Sequence, residues 1–374
     1  MARYDLPTVD ELLELGTPRA NAVTVYTPAI AADYEVAHTT VKSALDEAIR
    51  TFREQGASHA LQAAFKQRAT EILADDAWSA LSRSVAVFTT DEKSEIFVLP
   101  NKLEAQTQVG DYFDLGQLVR AVAVPQEAYA LTLSADGWNL WLATADAVVH
   151  ELDIDSEGNS DVAEATNRAT VRGRGQLRRL QGDEGTKVLL ETYAKRVFET
   201  ISPVLHDQDP GHRRPLFVFA ADPLIDMYRT HEHGPRELVS IHGSPDALRA
   251  DQIDAAIREH LADINARRAA ATVETLADGM SAGLVATDLV DIARAAVTGA
   301  VDTLVYDFTV DVLGDLNGET GEVTYRDDGY DLLSRIAIRV LRNGGTVVPV
   351  RSADITSDIW NGTAVARLRY PLAK

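Results

Sequence analysis

Apolar residues along this chain switch repeatedly between steps of two and steps of three and four, the pattern of strands alternating with amphipathic helices. Leu12, Leu13 and Leu15 give Leu6–Leu15 the apolar face of a short helix. Thr8 and Glu11 have the spacing of a capping box, and Gly16-Thr17-Pro18 ends the segment. Ala22–Tyr26 alternates as a strand. Tyr34–Phe52 and Ala57–Leu73 read as two helices split at Gly56, the first with Val41, Leu45, Ala48 and Phe52 on one face. Ser84–Thr89 and Glu95–Leu99 are strands around a turn at Asp91–Ser94, Leu115–Val122 is helical, and Pro125 marks a break.

A second α/β run follows. Tyr129–Ser134, Trp138–Ala143 and Ala147–Asp153 are three strands, the first two joined through the hairpin pair Asp136-Gly137. Ile154–Thr170 is polar, with residues 156–160 an exposed loop. Thr186–Ile201 is a helix lined by Val188, Leu189, Tyr193, Val197 and Ile201. Pro215–Ala220 is apolar throughout, as a central strand buried on both faces would be. A helix from Asp222-Pro223 towards Arg229 and a short edge strand at Val239–His242 complete this run.

Ser244-Pro245 suits a helix start, and a long helix is predicted from there to Ala282. Ile253, Ile257, Leu261 and Ile264 form its stripe, with Arg258, Arg267 and Arg268 on its exposed face. Beyond it, Leu284–Gly299 reads as helix, Val301–Tyr306 as strand and Asp327–Arg342 as helix with Leu332, Leu333, Ile336 and Val340 inward. Asn343-Gly344-Gly345 makes a cap and turn. Thr346–Val350 is a strand that Pro349 confines to an edge or a bulge, and Ala364–Tyr370 is the terminal strand. The expected organisation is α/β, in three domains at 1–124, 125–250 and 251–374. The second boundary falls inside or just before the long helix.

Length, at 374 residues, agrees with two or three domains. The absence of cysteine excludes disulfides, thiolate chemistry and cysteine-based zinc sites. The opening residues lack the apolar core of a signal peptide, and no run of 18 apolar residues occurs, so a cytoplasmic protein without membrane segments is expected. The formal charge of −21 argues against general nucleic-acid binding, DNA included.

Against that charge, Val171–Arg179 (VRGRGQLRR) concentrates Arg172, Arg174, Arg178 and Arg179 around Gly173, Gly175 and Gln176. The glycines let backbone come close to a ligand, and the arginines suit phosphates. Taken alone, the stretch also fits a solvated surface turn.

Four stretches together resemble the bacterial branch of the archaeal and eukaryotic class-I peptide release factor superfamily, which includes Pelota-like rescue factors. They are SVAVFT…EIFVLP with YFDLGQLVRAV; YALTLSADGWNLWLA; the GRGQLRRLQ loop with the helix bearing Tyr193 and Phe198; and VDTLVYD, LRNGGTVVPV and GTAVARLRY. The resemblance covers nearly the whole chain. It implies three α/β domains, with an RNase H-like middle domain and a C-terminal α/β sandwich.

In that superfamily a Gly-Gly-Gln tripeptide positions the water that cleaves peptidyl-tRNA. Gln176 matches the glutamine and Gly175 the second glycine, while Arg174 stands where the first glycine belongs, so the motif is broken. No Asn-Ile-Lys-Ser decoding motif occurs. The resemblance therefore implies a ribosome-associated factor for rescue or hibernation rather than stop-codon termination. RNA contacts would run through Arg172, Gly173, Arg174, Arg178 and Arg179. Ribosomal RNA near the A site and a translational GTPase are the implied partners, and no cofactor is implied. Two alternatives stay open: a peptidyl-tRNA hydrolase using Gln176 with Gly175, and an acidic protein-interaction adaptor that never touches RNA.

Other candidate chemistry is weaker. His231 and His233 flank Glu232 but have no third metal ligand at a firm spacing. Gly182–Lys187 lacks the spacing of a phosphate loop. Asp307, Asp311 and Asp315 are expected in a solvated acidic loop, and Trp138 and Trp141 in core or sheet-face packing.

Overall fold

The structure, a computed structural model, describes residues 3–30, 33–79, 81–145, 148–155, 158–166, 183–327 and 329–371. It is mixed α/β. Two compact units divide the chain: Met1–Pro125 with Ala262–Lys374, and Gln126–Leu261.

The N-terminal stretch of the first unit builds α1 (Val9–Leu15), β1 (Ala22–Pro28), α2 (Tyr34–Glu54), α3 (His59–Leu73), β2 (Ser84–Thr89), β3 (Ser94–Leu99), β4 (Gln106–Gly110) and α4 (Gly116–Ala123). The capping box of α1 is present: the Glu11 amide donates to Thr8 Oγ1 at 3.3 Å, and the Thr8 amide donates to the Glu11 carboxylate at 2.7 Å. The strands form an antiparallel sheet in the order β3-β2-β1-β4. Strand alternation sends Val23, Val25, Val85, Val87, Ile96 and Val98 against α2 and α3. It sends Tyr26, Ala86, Phe88, Phe97 and Leu99 into a second core with α1 and α4.

The second unit contains β5 (Ala128–Ser134), β6 (Gly137–Ala143), β7 (His150–Leu152), α5 (Val162–Ala165), α6 (Asp183–Gln208), β8 (Leu216–Ala220), α7 (Leu224–Arg229), β9 (Leu238–His242) and the start of α8 (Ala250–Ala277). Its sheet runs β7-β6-β5-β8-β9, with β6 antiparallel to its neighbours and β5, β8 and β9 parallel. Tyr129, Leu131, Leu133, Leu216, Val218 and Ala220 pack against α6 and α7. On the other face Phe217 meets His260 of α8, ring centroids 6.1 Å apart. As predicted, β8 is central and β9 lies at an edge.

The C-terminal stretch returns to the first unit with β10 (Val285–Ala286), α9 (Leu289–Val297), β11 (Val301–Asp307), β12 (Leu313–Leu316), β13 (Val323–Tyr325), β14 (Tyr330–Asp331), α10 (Leu332–Arg342), β15 (Thr346–Val350) and β16 (Ala364–Leu368). The larger sheet is β10-β16-β11-β15, and Pro349 sits on edge strand β15. Leu304, Tyr306, Ile336 and Val340 join the core that already holds Phe88 and Leu118, so both ends of the chain share one apolar interior.

Several expectations are corrected. Helix α8 starts at Ala250 rather than Ser244-Pro245, because Pro245 is buried in a turn whose carbonyl accepts from Leu248 at 3.0 Å. Arg258 is 3% exposed and points inward, where it reaches the carbonyls of Gln126 and Thr144 and the carboxylate of Asp254. Helix α9 starts later than predicted, because Asp288 caps it by accepting from the amides of Val290 and Asp291. The residues before it pair as β10 with β16. Helix α10 likewise starts at Leu332 rather than Asp327, and β12–β14 form a small sheet that the pattern did not reveal. The predicted strand Ala147–Asp153 shortens to β7; Ala147 lies outside the described residues.

Asp331 ends that small sheet and caps α10, accepting from the amides of Leu333 at 3.1 Å and Ser334 at 2.8 Å. Burial pushes its pKa up to about 6, against the lowering effect of those amides, and nearby Asp114 adds to the rise. A raised carboxyl pKa gives stability that is complete below the unfolded value of 3.8 and is lost as pH climbs through about 6. Asp331→Asn keeps an oxygen for the cap and removes the titration. Chemical denaturation at pH 5 and pH 7 should show the native chain gaining about 1 kcal/mol on acidification relative to the variant.

Candidate nucleic-acid interface

Arg172, Gly173, Arg174, Gly175, Gln176, Arg178 and Arg179 all lie outside the described residues, as does Gly182. The structure describes what holds the two ends of that stretch. On the entering side, Asp161 caps α5 by accepting from the Glu164 amide at 2.8 Å. Ala165 is wholly buried against the sheet core. The Glu164 carboxylate turns back to accept from the amides of Gly158 at 3.1 Å and Ser160 at 2.9 Å, and from the Ser160 hydroxyl. The Ser160 hydroxyl first, then these amides, hold its pKa below the usual carboxylate range.

Asn159 ties this segment to two elements at once. Its side-chain amide donates to the Arg196 carbonyl at 3.2 Å and to Thr200 Oγ1 at 2.6 Å on α6. Its carbonyl accepts from the Trp138 indole of β6 at 3.1 Å. Only 5% of Asn159 is exposed, which corrects the expectation of a wholly exposed loop at 156–160. Asparagine within a Ser-Glu-Gly-Asn-Ser run reads as turn chemistry, so no structural role was legible for it in the local pattern. Trp138 and Trp141 take the sheet-face roles expected, the second donating to Thr132 Oγ1 at 3.0 Å.

On the leaving side stands α6, 26 residues and thus about 39 Å long. Its seal against the sheet begins at Tyr193 and Ala194 and continues through Val197, Ile201 and Leu205. Among residues 185–192 no side chain is buried, and Val188 is 61% exposed. Val188 therefore does not line the inward face as its spacing suggested. The described first turns of α6 therefore stand outside the packed interior. Tyr193 is fully buried, burial pushes its phenol pKa up, and its hydroxyl has no partner among the described residues.

The far end of α6 is anchored by charge. Arg236, 6% exposed, donates to Asp209 Oδ2 and the Arg214 carbonyl, both at 2.7 Å, and to the Leu205 carbonyl at 3.1 Å. Asp209 also accepts from the amides of Arg213 at 3.1 Å and Arg214 at 3.0 Å. Burial raises the Asp209 pKa, but the Arg214 amide, the Arg236 guanidinium and the Arg213 amide outweigh it and leave the carboxyl below its ordinary value. Arg214 continues the network to Glu127 at 2.6 Å and to the Tyr129 hydroxyl at 3.0 Å.

Residues 125–267 match the family model of Bacterial archaeo-eukaryotic release factor family 11. Over that stretch the chain is similar to the bacterial branch of the archaeo-eukaryotic release factors. The matched stretch spans the whole second unit, the basic stretch included. Among solved structures, a model of ribosome-bound archaeal Pelota and ABCE1 aligns over 99% of this chain and 96% of its own, at 13% identity and a TM-score of 0.43. Pelota of Archaeoglobus fulgidus aligns over 78% and 80%, at 14% identity and a TM-score of 0.38. The archaeal translation termination factor aRF1 aligns over 98% and 99%, at 13% identity and a TM-score of 0.23. No curated protein sequence matches the chain.

The remaining candidates stay apart. His231 packs its ring against Phe198, centroids 6.2 Å apart, and no group of three metal ligands occurs among the described residues. Asp307 is buried rather than solvated, accepting from the Thr309 amide and hydroxyl and the Ser352 amide. Asp315 is engaged elsewhere by Tyr112 and Arg326. No described helix is long and apolar enough to cross a membrane.

Removing Arg236 would leave Asp209 buried with amides as its remaining partners. Arg236→Ala should lower unfolding free energy by about 3–5 kcal/mol, measured by urea denaturation.

Proposed function

We propose that this chain is a ribosome-associated translation factor that acts in rescue or hibernation rather than in stop-codon termination. The match of residues 125–267 to a release-factor family carries the reading. The arginine-rich stretch inside the matched region, in a chain of formal charge −21, supports RNA contact at that one place. Arg174 in place of the first glycine of Gly-Gly-Gln, and the missing decoding motif, argue against termination. In this reading Arg172, Arg174, Arg178 and Arg179 meet ribosomal RNA phosphates near the A site, and Gly173 and Gly175 allow close approach. The protein works in the cytoplasm, and a translational GTPase is its partner class. The three-domain division at 1–124, 125–250 and 251–374 belongs to the same proposal.

Replacing the four arginines by alanine should weaken ribosome co-sedimentation. The slope of log affinity against log salt should shrink by roughly 0.7–0.9 for each phosphate contact removed. Unchanged sedimentation with an unchanged slope would sink the proposal and favour an adaptor that never touches RNA.

Retention of Gly175-Gln176 supports a second reading, peptidyl-tRNA hydrolysis with Gln176 orienting water. In the leading reading, Gln176→Ala leaves ribosome binding intact, and peptide release from stalled ribosomes is at background in both proteins. Release that is robust in the native chain and collapses in Gln176→Ala establishes the hydrolase instead.

A further inference from the structure

Inside the first unit, a cavity of about 360 Å³ opens between the end of α1, Tyr112, β12, Tyr330 and α10. Its volume is in the range of small-molecule sites. Arg335 and Arg339 stand one turn apart on α10 and both line it.

Arg335 is the unusual member. It is 8% exposed, yet no carboxylate lies within ion-pair distance of it among the described residues. Its Nη2 donates to the Phe113 carbonyl at 3.3 Å, its guanidinium lies 4.4 Å from the Tyr330 ring centroid, and its Nε has no partner. A buried cation in that state is expensive unless an anion joins it. Burial pulls its pKa below the ordinary guanidinium value, and the opposing pull of Tyr330, Asp331 and Asp114, neither carboxylate within ion-pair distance of it, does not make this up. Arg339 has no ion-pair or hydrogen-bond partner for its guanidinium among the described residues either.

Gly16 shows that the room for Arg335 is built in. Its φ is −70°, which any residue adopts, so the backbone does not require glycine there. A Cβ at this position would lie 2.0 Å from Arg335 Nη1. The guanidinium thus occupies the space that a side chain at position 16 would take.

Asp315, on the cavity wall, accepts from the Tyr112 hydroxyl at 3.3 Å and from Arg326 at 2.8 Å. It is already engaged by a cation other than Arg335 or Arg339, and an ionised carboxylate can take further hydrogen bonds only as an acceptor.

We propose that this cavity binds a small phosphorylated ligand carrying a free hydroxyl, with Arg335 and Arg339 holding the phosphate and Asp315 accepting from the hydroxyl. Two guanidinium forks match the peripheral oxygens of one phosphate group. The site is independent of the proposed ribosome contact.

Isothermal titration of the full chain with GTP, ATP, ribose 5-phosphate and inorganic phosphate tests it. At least one organic phosphate should bind, and inorganic phosphate should bind more weakly. Arg339→Ala, at a partly exposed position, should weaken that binding about tenfold with the melting temperature retained. Gly16→Ala, which displaces the Arg335 guanidinium, should weaken it to a similar degree. No binding of any of the four probes overturns the proposal. So does inorganic phosphate binding as tightly as the tightest organic phosphate, or binding that survives both substitutions.

Discussion

The far end of α6 depends on the buried guanidinium of Arg236. Arg236 is enclosed where the end of α6, the start of β8 and the approach to β9 converge, and it satisfies Asp209 and three backbone carbonyls there. A charge so placed tolerates little movement, because any displacement leaves desolvated groups unpaired. It holds the last turns of α6 to the sheet while the first turns stand free of the interior. One end of this long helix is thus pinned and the other bare.

The described segment before the basic stretch is held by hydrogen bonds to an amide and a carboxylate rather than by an ion pair. Asn159 bridges α6 and β6, and Glu164 folds the preceding residues into a tight cap. The described segments on either side, residues 158–166 and α6, are therefore joined to one sheet-and-helix layer. In the first unit the constraint is different. Residues from both ends of the chain fill one apolar core, and where polar groups enter it, at Asp331 and Arg335, they cap a helix or face a cavity.

The strands were largely readable because strand alternation is a local signal. Ser84–Thr89 formed as expected, Pro349 marked an edge strand, and the unbroken apolar run at Leu216–Ala220 marked a central one. The small sheet at β12–β14 was not readable, since strands of two to four residues are shorter than any pattern can register. Helix starts failed where an aspartate outside the apolar stripe set the cap, as at Asp288 and Asp331. Gly16 was readable as a helix stop, but its reason, space for a guanidinium from α10, lies more than three hundred residues away.

By itself the sequence determined the alternation of elements, the contrast between a basic stretch and an acidic chain, and the arginine that interrupts Gly-Gly-Gln. Those are properties of neighbouring residues and of composition. Only the tertiary structure decided which charged side chains go inside. Arg258 looks like one more solvent-facing arginine on its helix until the carbonyls of Gln126 and Thr144, 132 and 114 residues earlier, close around it. Burying a charge is favourable only when such partners are supplied, and partners brought from distant segments exist only once the chain has folded.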